Sequence, residues 1–358
     1  MGGKDDKVGL PPAHPALPSL LRALGYRTSL IGKWHMGGPP EFGPLKSGYE
    51  HFFGIVSGAT DYFTHKLIFH KREVGGGLFE GDVPVERIGY ITDLLGERAA
   101  AEIKQAATSK EPFFISMHFT APHWPWEGPE DEAVARTLTD SREHDGGDLP
   151  TFARMVQSLD SNVNRILTAL EKSGAADDTI VIFTSDNGGE RFSDTWPFVG
   201  AKGELLEGGL RVPLIVRWPG HIARGSRSDQ VLISMDWLPT LLAAAGGAPD
   251  PTYPSDGTNL LPVLTGRAPV QSRKLFWRFK SAEQAAVRDG NLKYLKLADR
   301  EYLFDVVADP RERANLRYKK PEVFARLRSD FAAWNATMLP YPSESNSEST
   351  KENLSDRY

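Results

Sequence analysis

The stretch T-I-V-I-F-T-S-D-N-G-G-E, residues 179–190, decides how the chain is interpreted. Its first half is an apolar, β-prone run between turn residues, which predicts a buried strand of a parallel sheet. In open α/β sheets, ligands bind just beyond the carboxyl ends of the strands. Asp186 and Asn187 stand at that position and offer the hard oxygen ligands that Ca²⁺ or Mg²⁺ prefers. An ordinary Asx turn that closes a strand is the alternative interpretation.

Polar side chains also follow two other predicted strands. Residues 26–32, Y-R-T-S-L-I-G, lead into Lys33 and His35, and residues 112–119, P-F-F-I-S-M-H-F, lead into His123 in a proline-rich loop. Taken singly, each is more simply explained as a packed or solvated loop residue. Because the carboxyl ends of parallel strands share one edge of a sheet, we expect these side chains to lie near the two oxygen ligands.

Further side chains extend the candidate site. Lys202 lies in a glycine-punctuated loop after the central strand, and His65 lies in the aromatic-rich segment 38–85, which is expected to shape a pocket wall. We assign both to substrate contact, although a packed aromatic loop is the simpler explanation of His65. The tryptophans that are candidates for stacking on a sugar or aryl ring, or equally for packing, are Trp124, Trp126 and Trp196.

Composition excludes several classes of protein. The chain has 358 residues, 40% of them hydrophobic and 25% charged, which is ordinary for a globular protein. A net charge of −5 gives no general affinity for nucleic acid or membrane surfaces. Without cysteine, the chain has no disulfide, thiolate metal site or cysteine nucleophile. No apolar run reaches membrane-spanning length, and residues 1–9 are too polar for a signal peptide.

The order of elements predicts an α/β fold, a largely parallel central sheet flanked by helices. Residues 89–108 and 149–174 have helical periodicity, and residues 112–183 are expected to form a strand–helix–strand unit with a right-handed crossover. Beyond about residue 270, short alternating strands and then a helix predict a small antiparallel sheet with one helix. The predicted domains are an α/β domain over 1–266, an α+β subdomain over 267–340 and a disordered tail over 341–358.

The combined residues suit a small, dense anion. Lysines and a divalent cation neutralise charge on the oxygens of a tetrahedral anion. A histidine can deliver a proton to a leaving oxygen near neutral pH. These groups follow several separate strands, which a chance scatter of loop residues does not explain well.

Several stretches of the sequence match those of one known protein family. They occur in the same order as in that family and cover most of the chain. The chain resembles type I sulfatases, the arylsulfatase branch of the alkaline phosphatase superfamily. The stretches that carry the resemblance are G-Y-R-T-S-L-I-G-K-W-H-M-G, G-A-T-D-Y-F-T-H, A-P-H-W-P-W, T-I-V-I-F-T-S-D-N-G-G-E, G-A-K-G-E-L-L-E-G-G-L-R-V-P-L-I-V-R-W-P-G and S-M-D-W-L-P-T-L-L.

The resemblance implies catalytic roles for Lys33, His35, His123 and Lys202. Lys33 and His35 resemble the pair that contacts the family's aldehyde-hydrate residue. His123 and Lys202 resemble the sulfate-binding groups, with one or the other assisting the leaving group. The implied reaction converts a sulfate ester to an alcohol and sulfate.

The resemblance also implies two cofactors. Asp186 and Asn187 resemble two ligands of Ca²⁺, with Mg²⁺ as the alternative metal. The family's formylglycine comes from a C-x-P-x-R or S-x-P-x-R segment, and neither occurs in this sequence. Asp5 and Asp6 lack the apolar strand that precedes the family's acidic pair. We therefore expect a fragment rather than a naturally shortened protein, with negligible hydrolysis by this chain alone.

Two other functions stay open from the sequence. One is a phosphodiester or phosphonate monoester hydrolase of the same superfamily, and the other is a non-catalytic relative that binds anions or sulfated glycans. The expected partner is a small sulfate ester or a sulfated glycan, without nucleic acid. The family is commonly periplasmic, secreted or lysosomal, but the sequence predicts neither a compartment nor an oligomeric state.

Overall fold

The structure is a computed structural model that describes residues 9–69, 72–141, 147–280 and 283–341. The chain divides into two compact units. Unit 1 comprises Met1–Thr179, Pro219–His221 and Leu232–Thr265, and unit 2 comprises Ile180–Trp218, Ile222–Val231 and Gly266–Tyr358. The domain boundary at residue 266 stays a prediction, and the predicted disordered tail lies outside the described residues from 342 onward.

The strands of the described residues are β1 (Arg27–Lys33), β2 (His51–Ile55), β3 (Lys66–Phe69), β4 (Arg72–Gly76), β5 (Leu78–Glu80), β6 (Val83–Val85), β7 (Phe113–His118), β8 (Val181–Thr184), β9 (Leu214–Arg217), β10 (Lys274–Phe279), β11 (Gln284–Asp289), β12 (Leu292–Leu297) and β13 (Arg300–Asp305). The helices are α1 (Leu17–Ala23), α2 (Ile91–Ser109), α3 (Glu132–Ala135), α4 (Leu149–Lys172), α5 (Glu207–Leu210), α6 (Trp237–Ala244), α7 (Leu261–Leu264) and α8 (Pro321–Ala336). Within this part of the chain, none of the helices has the length and apolar character needed to span a bilayer.

Unit 1 is built on a mixed five-stranded sheet in the order β6-β5-β2-β1-β7. The three strands β2, β1 and β7 run parallel, while β5 and β6 are antiparallel additions. The register places Lys33 beside Ile55 and Gly32 beside His118, so the carboxyl ends of the parallel strands meet at one edge. The predicted strands at 26–32 and 112–119 are confirmed.

The two predicted long helices of unit 1 are also confirmed. In α4, the Asp148 carboxylate accepts a hydrogen bond from the backbone N–H of Thr151 at 2.7 Å, which caps the helix. Met155 and Leu170 on its apolar stripe are fully buried. The helix ends just before Gly174, whose positive φ of 76° closes it as the sequence predicts.

The segment 38–85 holds more regular structure than its weak periodicity suggests. It contains β2 to β6, all of five residues or fewer. Such short strands give too few positions for an alternating pattern to show. The segment is nevertheless the ordered excursion that the sequence predicts.

The predicted pairing of the central strand is wrong. β8 pairs antiparallel with β9, whereas β7 belongs to the five-stranded sheet, so residues 112–183 do not form a parallel strand–helix–strand unit. Neither strand is fully buried, since Phe183 is 40% and Ile215 is 63% exposed. A short apolar run has the same composition whichever direction its partner takes, so the sequence pattern could not decide the pairing.

The C-terminal part of unit 2 confirms the sequence prediction. Strands β10 to β13 form an antiparallel sheet in chain order. Helix α8 packs on this sheet through Leu327, which is fully buried against Val287, Tyr294 and Leu303. The fold class is therefore confirmed: a mixed central sheet with flanking helices and a small C-terminal antiparallel sheet.

Candidate active-site residues

Lys33 is held in place by the close approach of β1 to β7. The His118 ring donates from Nδ1 to the carbonyl oxygen of Lys33 at 2.9 Å and accepts at Nε2 from the Ser116 hydroxyl at 2.8 Å. Gly32 has a φ of +117°, and a Cβ there would overlap the carbonyl oxygen of His118. The strand end that carries Lys33 therefore requires glycine before it and histidine beside it.

His35 lies directly beyond the same strand end. Its backbone N–H donates to the carbonyl oxygen of Val56 at 3.1 Å, and its φ of 55° places it in the left-handed region. The imidazole fills the space in front of Gly58, where a Cβ would lie 2.5 Å from Cε1 and 2.6 Å from Nε2. The missing side chain at Gly58 thus makes room for the ring.

His123 follows β7 in the proline-rich loop. Its Nδ1–H donates to the carbonyl oxygen of Trp124 at 2.9 Å, and the two rings lie 4.6 Å apart. The bond fixes the tautomer, so the neutral ring carries its titratable lone pair on Nε2. The backbone is fixed as well, because the Tyr62 hydroxyl donates to the carbonyl oxygen of His123 at 2.8 Å.

Glu127 ties this loop to the segment that covers His35. Its Oε2 accepts from the backbone N–H of Tyr62 at 2.8 Å, and its carbonyl oxygen accepts from the Tyr90 hydroxyl at 2.7 Å. The two tyrosine rings stack at 5.2 Å. Desolvation, and secondly the charge of Asp61, raise the pKa of Glu127 to about 9. Glu127 is therefore protonated at neutral pH.

Two of the candidate substrate contacts, His65 and Trp126, are buried. His65 is 4% exposed, and its Nε2 bonds to the carbonyl oxygen of Gly89 at 3.1 Å. Burial lowers the pKa of His65, which keeps the ring neutral. Trp126 is 3% exposed and belongs to the core, whereas Trp124 is half-buried beside His123. The geometry favours a structural role for His65 and leaves Trp124 as a candidate contact.

The remaining predicted residues lie in unit 2. Asp186 is exposed, and the Asn187 amide donates to the carbonyl oxygen of Gly188 at 2.9 Å. The backbone N–H of Gly188 donates to the carbonyl oxygen of Gly209, and that of Lys202 donates to Gly189, both at 2.9 Å. The turn with the oxygen ligands and the loop of Lys202 are therefore hydrogen-bonded to each other.

Lys202 is a half-buried cation with an acidic neighbour. Its Nζ lies 3.2 Å from Oε2 of Glu190, which follows the turn of β8. The loop beyond it is anchored by Gln284, whose Oε1 accepts from the backbone N–H of Leu205 and whose Nε2 donates to the carbonyl oxygen of Gly203, both at 2.8 Å. The C-terminal sheet thereby fixes the backbone next to Lys202.

A buried ionic cluster holds the end of the same loop. The Lys293 ammonium is fully buried and lies 2.9 Å from Glu207 and 3.0 Å from Glu312. The Glu312 carboxylate also accepts from the backbone N–H of Glu207 at 2.7 Å. Burial raises the pKa of Glu312, although the Lys293 charge opposes this. One ammonium thus bridges two buried carboxyl groups.

The predicted metal site has only some of the ligands that a Ca²⁺ ion needs. Asp186 and Asn187 offer two adjacent oxygen ligands, whereas Ca²⁺ takes roughly six to eight. Within the described ranges, no three histidine, aspartate or glutamate side chains gather into a group that could hold a metal ion. The described residues alone do not complete a metal site.

The predicted residues fall into two groups. Lys33, His35 and His123 belong to the sheet edge of unit 1, and Asp186, Asn187 and Lys202 belong to the loops of unit 2. The sequence interpretation missed His118, although a polar residue at the end of a predicted parallel strand was a usable indication. It also missed the supporting residues Tyr62, Glu127 and Gln284, since their roles depend on contacts between distant segments.

Two family models match the chain. The model described as sulfatase matches residues 1–248, and the model described as N-sulphoglucosamine sulphohydrolase, C-terminal, matches residues 201–333. N-acetylgalactosamine-6-sulfatase of Mus musculus is 31% identical over 75% of this chain. The match covers 52% of that relative, so the chain spans about half the length of the curated relatives that it matches first.

Solved structures agree with this assignment. The crystal structure of Ps i-CgsB has a TM-score of 0.85 with 26% sequence identity, covering 99% of this chain and 81% of that one. The same protein in complex with k-i-k-neocarrahexaose has a TM-score of 0.84 over the same shares. With a family model matching more than half of its residues, the chain belongs to the type I sulfatases of the alkaline phosphatase superfamily.

Proposed function

We propose that the protein hydrolyses sulfate esters, and that this chain supplies groups that bind sulfate and transfer a proton. One observation supports this most strongly: a lysine and two histidines, Lys33, His35 and His123, follow the carboxyl ends of two adjacent parallel strands in unit 1. That edge is where open α/β sheets bind ligands. Membership in the sulfatase family supplies the reaction class.

In this proposal the lysines act by charge. The ammonium group of Lys33, in unit 1, neutralises negative charge on the sulfate oxygens, which grows as the ester bond breaks. Lys202, in unit 2, is the second candidate for this role. His123 acts through Nε2, since Nδ1 is committed to the carbonyl oxygen of Trp124. A proton carried on Nε2 goes to the leaving alkoxide or phenoxide oxygen, which becomes the alcohol product.

Sulfatases are generally metal-dependent. We propose that Asp186 and Asn187 are two ligands of a divalent cation, Ca²⁺ before Mg²⁺, because carboxylate and amide oxygens suit both. Calorimetric titration with Ca²⁺ tests this. Asp186→Ala is expected to weaken binding, with the exposed Asp177→Ala as its control. Equal affinity of both variants would remove Asp186 from the ligand set.

No nucleophile is assigned to this chain. Its 358 residues contain neither cysteine nor a Ser-x-Pro-x-Arg segment from which a formylglycine could form. We therefore expect the chain alone to bind sulfate esters but to hydrolyse them negligibly. Turnover of 4-nitrophenyl sulfate by the purified chain, abolished by His123→Ala, would contradict this expectation and would still support the proposed reaction.

The proposed substrate class is a sulfated glycan. Ps i-CgsB, which shares the fold and 26% of its sequence, has been crystallised with k-i-k-neocarrahexaose. The curated relative is named for a sulfated amino sugar. Both observations concern relatives, and they support the same class of substrate here.

Binding is the direct test of the proposal. Calorimetry with 4-nitrophenyl sulfate is expected to show saturable binding that Lys33→Ala and Lys202→Ala each weaken by about tenfold, since each removes a charge–charge contact. The exposed Lys104→Ala is the matched control and should bind like the parent chain. Equal affinity of all four proteins would remove the two lysines from the site.

A further inference from the structure

The loop that connects the Asp186–Asn187 turn to Lys202 carries several aromatic rings, each with an arginine against it. The guanidinium carbons lie 5.9 Å, 4.7 Å and 4.6 Å from the ring centroids in the pairs Arg191–Phe192, Arg311–Trp196 and Arg211–Phe198. The two phenylalanines are half-buried, but Trp196 is 68% exposed. Among these rings Trp196 is the one that faces solvent.

The contact between Trp196 and Arg311 is made by the fold and not by proximity in sequence. They are far apart in sequence, since Arg311 follows β13 in the C-terminal subdomain, so their contact is made by the fold of unit 2. The guanidinium covers one face of the indole. With 68% of the side chain still exposed, the other face and the ring edge remain open to a ligand.

Hydrogen bonds hold the backbone of the loop at Trp196, and the Arg311 guanidinium packs on the indole ring. The backbone N–H of Trp196 donates to the Asp194 carboxylate at 2.9 Å, and that of Phe198 donates to the carbonyl oxygen of Thr195 at 2.8 Å. Farther along the loop, the backbone N–H of Lys202 donates to the carbonyl oxygen of Gly189 at 2.9 Å. A ring fixed in this way costs a ligand little ordering of the protein.

An exposed, fixed indole with a guanidinium beside it fits a ring that has an apolar face and an anionic substituent. A sugar ring presents C–H groups on one face, and an indole provides a flat apolar surface for them. Arginine donates planar, paired hydrogen bonds to tetrahedral oxyanions. A neutral sugar would stack on the indole without an ionic contact to the arginine. A lone sulfate would bind the arginine without contacting the indole.

We propose that Trp196 and Arg311 form a glycan subsite, in which the indole stacks on a sugar ring and the guanidinium binds a sulfate or hydroxyl group of that ring. This subsite rests on the proposed function, because it takes a sulfated glycan whose reacting sulfate ester is bound elsewhere. It makes the protein selective for sulfated oligosaccharides over small aryl sulfates.

The experiment compares two probes by calorimetry, k-i-k-neocarrahexaose and 4-nitrophenyl sulfate. Trp196→Ala is expected to weaken binding of the hexasaccharide by about tenfold and to leave the aryl sulfate unchanged. Trp196→Phe should restore part of the loss, and Arg311→Gln should weaken the hexasaccharide alone. The matched control is Tyr318→Ala, because Tyr318 is 80% exposed and is also stacked by an arginine, Arg317, at 4.5 Å.

Each outcome decides the proposal. Selective loss of the hexasaccharide in Trp196→Ala and Arg311→Gln, with Tyr318→Ala like the parent, supports the subsite. Undiminished hexasaccharide binding by both variants overturns the subsite while the proposed function stands. Binding of the aryl sulfate without the hexasaccharide overturns it too. Binding of neither probe overturns the proposed function and the subsite with it.

Discussion

The carboxyl groups of Asp61 and Glu127 lie within hydrogen-bonding reach of each other in the interior of unit 1, each 1% exposed. Among the described residues, no donor reaches Oδ2 of Asp61 or Oε1 of Glu127. Two neighbouring buried carboxylates repel each other, which favours the protonated form of one of them. Desolvation and the Asp61 charge raise the pKa of Glu127 to about 9, which keeps Glu127 protonated at neutral pH.

This pair predicts that the free energy of unfolding falls as pH rises from about 4.5 to about 9. Because the pKa of Glu127 in the folded chain lies above its ordinary value of 4.5, the folded state keeps a proton that the unfolded state releases. The stabilisation is complete below pH 4.5 and is lost as pH rises to about 9, at up to about 1.4 kcal/mol per pH unit. The titratable groups that face Glu127 are Asp61, Tyr62, Tyr90 and Asp131.

Urea unfolding between pH 5 and pH 9 measures the effect. Glu127→Gln keeps the shape of the protonated acid and is expected to flatten the dependence of unfolding free energy on pH. Glu171→Gln, at an exposed position of α4, should leave the dependence as it is in the parent chain. A Glu127→Gln curve parallel to that of the parent would show that Glu127 is ionised throughout.

Tyr62→Phe removes the hydroxyl that donates to the carbonyl oxygen of His123 at 2.8 Å. We expect the unfolding free energy to fall by about 0.5–1.5 kcal/mol, because one buried hydrogen bond is lost while the ring stays. Tyr253→Phe, at a site 42% exposed, should cost less. If both variants unfold like the parent, the Tyr62 hydroxyl contributes nothing to holding the His123 loop.

Gly58→Ala tests the placement of His35. A methyl group at residue 58 would lie 2.5 Å from Cε1 of the imidazole, so the ring must move. The expected cost is about 1–3 kcal/mol of stability, together with a changed chemical shift of the His35 ring in NMR spectra. Gly38→Ala is the control, since a Cβ there meets no atom within 4 Å. An unshifted His35 signal in Gly58→Ala would contradict the contact.

Lys293→Met tests the buried ionic cluster of unit 2. The change leaves Glu207 and Glu312 buried without the ammonium that lies 2.9 Å and 3.0 Å from them. We expect a loss of about 3–5 kcal/mol in urea unfolding, because uncompensated buried charge is costly. Lys296→Met on the same strand should cost far less, since Lys296 is 36% exposed. Similar losses in the two variants would argue against the bridging role.

The sequence predicted the strand ends well because local composition determines them. The apolar run before Lys33 and the run before His123 both form strands, and the parallel register brings their ends to one edge. Helical periodicity that stops at Gly174 placed α4 equally well. In these places one short segment contains all the information that the prediction needs.

The failures concern interactions between distant segments. The pairing of β8 with β9 depends on a partner thirty or more residues away, which the β8 run itself does not specify. Glu127 appears in the sequence as one more acidic residue of a polar loop, and only its burial against Asp61 gives it a special pKa. The sequence also does not show that the fold buries the His65 ring against Gly89, and the assignment of His65 to substrate stays a prediction.

The central claim is that Lys33, His35 and His123 form a sulfate-ester site, and the histidine rings report on it directly. We would titrate the ¹³C-histidine-labelled chain with 4-nitrophenyl sulfate and follow each ring by NMR. The account predicts saturable shifts of His35 and His123 with a common affinity that Lys33→Ala weakens, while His14, whose ring packs against Tyr253, stays unchanged. If the His35 and His123 signals do not move at saturating ligand, the sulfate-ester assignment of this sheet edge is wrong.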